Sequence, residues 1–556
     1  MAFPFRVSDI LTSVAGEVVF GDPETAFSAY CIDSRYAYPD CLFVPLLGQH
    51  RDGHHFILDA VGRGASSTLV RAGHHLVGEV LRALQESHTY VSAQAAHHVA
   101  VVEVRHTLVA LQKLASWFRR QFDRVRVVGI TGSVGKTQTK EMLLAILGQK
   151  HHAVANEKNF NNEIGVPLTL SKIRPETDFA IVEMAMRGRG EVSLLSRIAQ
   201  PNLALITNTL GSHIGRLGSA AEVARAKAEI IDGMKAGSVL WLNARDHNLA
   251  TLHSEIENKQ AVKRGLTVRF FDCAAATQAA AQVPPLAVPG GNEAPTDGEL
   301  PEVSPDLWVE EVKLRGLEGS EFTVCTPAKR VPVKLPVLGQ GAVENLACAA
   351  ALALDCGLEL PDIVQAVASL SPTPQRLAPY EIKPGVTLVD DTYNASPAST
   401  QDALATLATL SPETRRVIVL GDMLELGKYE VPLHRQAAVQ VFSLPPSLVI
   451  GVGPRMAALH ELPLPAGFEL HWFSGSTDED ERIGRGFPPA EPQRDARGRL
   501  EMVDDATVDR ISKLILAEIE RVQGGLVILV KGSRALRLER IVQSILSYYG
   551  KKEHFL

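Results

Sequence analysis

The chain has no surplus of positive charge. Its 56 Lys and Arg stand against 63 Asp and Glu, for a net charge of −7. A nucleic-acid partner calls for a basic footprint, so that class of function is excluded. Cysteine is scarce: the six (Cys31, Cys41, Cys273, Cys325, Cys348, Cys356) include no C-x-x-C pair, and a chain this long does not read as a disulfide scaffold. Reduced, buried thiols are expected. No apolar run approaches the ~18 residues of a membrane span. The opening MAFPFRVSDILTSVAGEVVF lacks the basic start and unbroken apolar core of a signal peptide. A cytoplasmic protein with no membrane span is the expectation. Two nucleotide fingerprints are also missing in their strict form. There is no G-x-G-x-x-G, and Ile130 occupies the first glycine position of G-x-x-x-x-G-K-[ST].

What is present in place of that pattern is VRVVGITGSVGKTQTK at 125–140. An apolar, β-branched strand runs into Gly132, Ser133, Val134 and Gly135, then Lys136 and Thr137. After these, Met142, Leu143, Ile146 and Leu147 recur at helical spacing. Strand, glycine turn and helix together make a phosphate cradle: the glycines let successive backbone N–H groups curl around an anion, and the helix adds the positive end of its dipole. Lys136 would reach the β- and γ-phosphates of ATP, and the Thr137 hydroxyl would join a Mg2+ shell.

With 556 residues, 46% hydrophobic and 21% charged, the chain is an ordinary globular sequence long enough for three or four domains. Residues 1–105 alternate short apolar runs and turns, which predicts a small α/β domain. Within it lie Asp33-Ser34-Arg35 and Asp52-Gly53-His54, which on their own read as capped, solvated loops. Residues 106–372 carry the nucleotide strand and further buried strands at 179–184, 203–208 and 238–243, so a largely parallel, covered sheet is expected. Ligands of such sheets lie beyond the carboxyl ends of the strands, where Glu183, Thr207, Asn208 and His213 fall. Glu183 could bind Mg2+ or cap a neighbouring helix; for a lone His213 no ligand role follows from the residues alone. The amides Asn159, Asn161 and Asn162 suit a neutral polar ligand or a turn. Lys227, among alanines on a helix, reads by default as a solvated face.

A boundary falls near Ser371-Pro372-Thr373-Pro374, and strand–helix alternation then restarts through 373–556, with strands at 386–391, 415–422, 448–453 and 526–534. This predicts a second open α/β domain of Rossmann type. Asp390, Asp391, Tyr393 and Asn394 end its first strand; Lys531 and Arg534 end its last. Residues 274–305 and 474–500 have the composition of long loops or disordered insertions.

Taken in order, these motifs resemble the Mur ligase family from about residue 30 to 535. The resemblance rests on TGSVGKT at 131–137, on NNEIGVPLTL at 161–170, on Glu183, and on Thr207-Asn208 followed by His213. It extends to Lys227-Ala-Glu-Ile, Asn345, Arg376, DDTYNASPAS at 390–399, LGDMLELG at 420–427 and KGSR at 531–534. It implies three α/β domains: a UDP-sugar-binding domain, a central ATP-binding domain and a C-terminal Rossmann-like domain. It also implies ATP-dependent amide-bond formation in peptidoglycan synthesis through an acyl phosphate. Roles follow by resemblance: Lys136, Lys227 and Arg376 in catalysis; Gly132, Ser133, Gly135, Lys136, Thr137, Asn345, Arg376 and Asp391 on ATP. Ser34, Arg35, Asn159, Asn161, Asn162, Tyr393 and Asn394 are assigned to substrate. Thr137, Glu183, His213 and Lys227, the last as a carbamate formed from CO2, are assigned to Mg2+.

The last-domain signatures are similar to those of the branch that joins D-alanyl-D-alanine to UDP-N-acetylmuramoyl-tripeptide. The diaminoacid-adding branch carries a D-N-P-R type motif instead, and this chain has none. A polyglutamate-adding relative and a non-ligating nucleotide switch are the rival readings. Four positions depart from the family pattern: Val134, Ala185, Gly341 where a histidine often stands, and Gln375 where a glycine usually precedes the arginine. A monomer is expected.

Overall fold

The computed structural model describes residues 3–48, 51–86, 99–157, 159–209, 217–256, 265–274, 303–463, 469–475 and 503–551. Three large sheets organise them. The first has five strands in the order Gly16–Phe20, Ala100–Val104, Ser67–Arg71, Cys41–Phe43, Ala29–Cys31; only its Gly16–Phe20 strand pairs antiparallel.

The second sheet has nine strands. Seven are mutually parallel: Ala153–Ala155, Phe179–Glu183, Arg126–Thr131, Leu203–Ile206, Val239–Asn243, Thr267–Cys273 and Leu307–Leu314. The expectation of a covered parallel sheet is met for a plain reason. Val127, Val182 and Ile206 pack into one apolar cluster and Val128, Ile130, Ile181 and Leu205 into another on the opposite face, so these strands need apolar residues at every position. An antiparallel extension, Ser320–Cys325 and Arg330–Leu335, closes the far edge. Its alternating pattern marks one covered and one wet face, and Pro332 sits on the edge strand, where a missing N–H costs no ladder bond. The sequence reading did not foresee this hairpin.

The third sheet has six strands in the order Ala378–Lys383, Val386–Asp391, Leu526–Lys531, Arg415–Gly421, Leu448–Val452, Glu469–Phe473, all parallel but the first. Four of these strands match the sequence reading, while Ala378–Lys383 and Glu469–Phe473 were not anticipated. The reading of 274–305 and 474–500 as loops lies almost wholly outside the described residues.

Two helices tie the sheets to the site. Thr107–Arg120 buries Leu111, Leu114 and Phe118 in a cluster shared with Phe5, Tyr30 and Val102 of the first unit and Val127 of the second. Tyr30 adds a hydrogen bond from its hydroxyl to the Pro167 carbonyl, 2.7 Å. The alanine-rich helix Gln340–Asp355 packs Leu346 and Ala350 into the same cluster as Leu143 and Ile146 of Lys136–Leu147, which brings Asn345 against the glycine turn. All six cysteines are free and buried. Among the described residues no helix is long and apolar enough to cross a membrane.

Candidate active site

The glycine turn of 131–137 is as the spacing predicts: a strand, Arg126–Thr131, then a turn, then a helix from Lys136. Gly135 adopts φ 91°, and a Cβ there would lie 2.1 Å from Asn345 Oδ1; a Cβ on Gly132 would lie 1.8 Å from Thr207 Oγ1. Neither position accepts another residue without displacement. Thr207 and Asn208, given no individual role by the sequence reading, brace the turn. Thr207 Oγ1 donates to the Val134 carbonyl at 2.6 Å, while Asn208 accepts from the Val134 N–H at 3.0 Å and, through its backbone oxygen, from Ser133 N–H at 2.9 Å. The Ser133 hydroxyl is buried without a hydrogen-bond partner among the described residues. Lys136 Nζ donates to the carbonyls of Gly132 (2.7 Å) and Ser133 (3.1 Å), folding back over its own turn. Burial pushes its pKa below the ordinary lysine value and Arg376 adds to this, while Glu183 opposes it.

Three parts of the chain meet at Thr137. Its hydroxyl donates to Glu183 Oε2 at 2.9 Å and accepts from Arg376 Nη2 at 3.1 Å. Glu183 ends its strand at 2% exposure, and its other oxygen accepts from Asn161 Nδ2 at 2.8 Å. Glu183 therefore does not cap a helix. It presents a carboxylate to a hydroxyl-bearing phosphate loop, an all-oxygen donor set of the kind Mg2+ takes.

Asn156, which sequence reasoning missed, positions this carboxylate. Its Oδ1 accepts the Glu183 N–H at 2.6 Å and its Nδ2 donates to the Phe160 carbonyl at 2.5 Å. The available signal was its place as the first amide of the Asn-rich stretch, directly after the strand Ala153–Ala155. Of the three amides singled out, Asn161 reaches the site, Asn159 is exposed, and Asn162 spends its carbonyl oxygen on the N–H groups of Ile164 (3.3 Å) and Gly165 (2.9 Å) at a helix start.

Lys227 corrects the default reading of a solvated lysine. It is 1% exposed, and its side chain has no hydrogen bond or ion pair to a described residue. Burial, reinforced by Lys136, pushes its pKa well below the ordinary value against a weaker opposing pull from Asp246. Its helix, Ala220–Ala228, turns that face inward because Val223, Ala224 and Ala226 are buried with it. Asp246, also missed, accepts from the N–H and hydroxyl of Thr209. His213 lies outside the described residues.

Asn345 donates to Gln138 Oε1 at 2.8 Å and accepts from Thr139 Oγ1 at 3.4 Å, one turn into the phosphate-loop helix. Gly341 N–H, where a histidine was noted as usual, donates to Asp402 Oδ2 at 3.2 Å, and a Cβ at 341 would lie 2.7 Å from that oxygen. On the third unit, Arg376 lies over the Tyr393 ring, 4.1 Å from its centroid. Asp391 accepts from Lys531 Nζ at 2.5 Å and from Leu377 N–H at 3.3 Å; burial raises its pKa, which Lys531 opposes. Asn394 is exposed and gives its carbonyl to Lys531 at 3.1 Å.

The first unit holds the remaining candidates. Ser34 is buried, and Arg35 is exposed in a two-bond pair with Asp33 at 3.0 and 2.6 Å. Asp52 accepts from His54 Nδ1 and His74 Nε2, both at 2.7 Å. Burial would raise the Asp52 pKa, but its hydrogen bonds hold it at about 2. The cluster has the reach to hold a cation, yet His54 Nε2 accepts Arg71 N–H and His74 Nδ1 accepts Leu76 N–H, so every ring nitrogen is committed within the fold.

Residues 130–281 match the model of the Mur ligase middle domain, and residues 375–534 match that of the Mur ligase glutamate ligase domain. A Synechocystis protein named UDP-N-acetylmuramoyl-tripeptide–D-alanyl-D-alanine ligase is 34% identical over 79% of this chain and 82% of its own. The chain belongs to the Mur ligase family. An Escherichia coli protein with the same name is 29% identical over 97% of both chains. The crystal structure of MurF from Acinetobacter baumannii superposes with a TM-score of 0.72 at 25% identity, covering 98% of this chain and 99% of its own. The three-sheet architecture is thus the three-domain α/β fold of a Mur ligase.

Proposed function

We propose that this chain joins D-alanyl-D-alanine to UDP-N-acetylmuramoyl-tripeptide at the expense of ATP, forming the pentapeptide precursor of peptidoglycan. The observation that carries the reading is the meeting of Lys136, Thr137, Glu183 and Arg376 around one phosphate loop, in a family member whose near-full-length relatives bear that activity in their names. An amide does not form usefully from a carboxylate and an ammonium in water, so the carboxylate must first be activated. One oxygen of the tripeptide carboxylate attacks the γ-phosphorus of ATP; the bond to the β-phosphate oxygen breaks, and ADP leaves. The neutral amine of the dipeptide then adds to the acyl carbon, a proton departs from nitrogen, and phosphate leaves with the electron pair of the C–O bond.

The chain's own residues supply positioned charge for the first step. Lys136 turns from the carbonyls of its loop to the phosphates, Ser133 finds there the partner it lacks among the described residues, and Arg376 carries a cation across from the third domain. Thr137 and Glu183 would hold Mg2+, which supplies charge neutralisation at the transferring phosphoryl group. Lys227 fits carbamate formation, because a desolvated amine with a lowered pKa is neutral and nucleophilic, and CO2 turns it into an anion. Contacts from two domains exclude water that would hydrolyse the acyl phosphate.

The test is phosphate release from ATP and Mg2+ with the UDP-linked tripeptide, with and without the dipeptide, in the parent and in Lys136→Ala. Release that needs both substrates and is lost in the variant is expected. Release indifferent to the dipeptide would overturn the acceptor assignment.

A further inference from the structure

Among the described residues, Arg534 is a cation close to Arg376 that the reaction scheme leaves without work. It stands in the loop after the strand Leu526–Lys531, with a side chain 58% exposed. Its loop is pinned on both sides: Ser533 N–H donates to the Asp422 carbonyl at 3.2 Å, and Ser533 Oγ accepts Leu424 N–H at 3.0 Å. Within the described residues only Nη1 is engaged, by Gln375 Oε1 at 3.3 Å and Glu539 Oε1 at 3.2 Å. The Nε and Nη2 edge has no hydrogen-bond partner there. That edge can receive a carboxylate through two parallel bonds.

Tyr393 links Arg534 to Arg376. Arg376 and Arg534 share that ring, with their guanidinium carbons 4.1 and 6.0 Å from its centroid. Arg376 reaches Thr137, and Arg534 stands beside the same ring as a second cation. An extended dipeptide spans ~7 Å from amine to carboxylate, a length that two guanidinium groups on one tyrosine ring can bracket. We propose that Arg534 binds the C-terminal carboxylate of the incoming dipeptide, so that its amine lies at the acyl phosphate beside Arg376. The proposal rests on the ligase reading and adds to it a group that selects acceptors by a free α-carboxylate. Gln375 and Glu539, both on Nη1, then hold the guanidinium plane and leave the other edge open.

The test compares D-alanyl-D-alanine with its C-terminal amide as acceptor, by phosphate release at saturating ATP and UDP-linked tripeptide, in the parent, Arg534→Ala and Arg534→Lys. A charge-assisted pair predicts a parent preference for the acid of roughly 10- to 100-fold in kcat/KM. Arg534→Ala brings that ratio to near one through a raised KM for the acid, and Arg534→Lys retains part of it. A parent that takes the amide as well as the acid would overturn the proposal. So would an Arg534→Ala enzyme that loses both acceptors equally, the signature of a structural role. Failure of the ligase reading itself is separately visible, as parent phosphate release that ignores both acceptors.

Discussion

Asp390 offers the sharpest check on the electrostatics of the third domain. It is fully buried at the end of the strand Val386–Asp391; Oδ1 accepts from the Thr392 N–H (3.1 Å) and hydroxyl (2.6 Å), while Oδ2 has no partner among the described residues. Burial pushes its pKa from 3.8 to about 7, with Asp391 and Glu539 adding to the rise and the Thr392 bonds opposing it. A carboxyl whose folded value lies above its unfolded value contributes stability fully below the unfolded value, and that contribution is lost as pH rises through the folded one. Stability should therefore fall between about pH 4 and about pH 7 on this account. While the unfolded chain is ionised and the folded carboxyl is not, each further pH unit costs ~1.4 kcal/mol, so the cost in the parent grows by roughly 3 kcal/mol between about pH 5 and about pH 8.5. Asp390→Asn keeps the acceptor for Thr392 and removes the titration. Thermal unfolding of parent and variant at matched pH cancels the other titrating groups. The variant should gain on the parent across that range by several degrees, at roughly 2–4 °C per kcal/mol for a domain of this size. A gap of the same size at both ends of that pH range would refute the reasoning.

Two further outcomes follow from the site. Asn161→Ala frees Glu183 from its 2.8 Å hydrogen bond, so the Mg2+ concentration for half-maximal phosphate release should rise about 10- to 100-fold, with thermal stability nearly unchanged. Lys227→Met should abolish activity, and intact-mass measurement under CO2 should show one added CO2 on the parent and none on the variant; an unmodified, fully active parent would remove the carbamate from the mechanism.

Legibility in the sequence followed the range of the interactions. The phosphate loop was readable because its requirements are local: a strand, glycines at positions where a Cβ has no room, and a helix start. The fully buried central strands, such as Phe179–Glu183 and Leu526–Lys531, were readable because burial on both faces demands unbroken apolar runs. The edge strands Ala378–Lys383 and Arg330–Leu335 were not, since half-wet strands with prolines carry a weaker pattern. Lys227 was misread from its neighbours because alanines leave open which face of a helix is buried, and packing decided it. Asn156 and Asp246 act through backbone groups distant in sequence, Glu183 and Thr209, so no spacing rule reveals them.

The departure at Gln375 has a consequence in the backbone. Gln375 has φ 62° and Leu377 φ 49°, so Arg376 sits between two left-handed residues that are not glycine. Each costs ~1–2 kcal/mol relative to ordinary backbone, and such a conformation persists only where the surroundings over-determine it. They do so here from the third domain. Tyr393 N–H donates to the Gln375 carbonyl at 3.1 Å, Asp391 accepts Leu377 N–H at 3.3 Å, and Lys531 fixes the other Asp391 oxygen. The same Tyr393 supplies the ring under Arg376. The strand-end cluster that resemblance assigned to ligands thus also bends the linker, and the bend is what aims the guanidinium at Thr137. A glycine at 375 would relieve strain on one side of Arg376 while loosening the link that aims it.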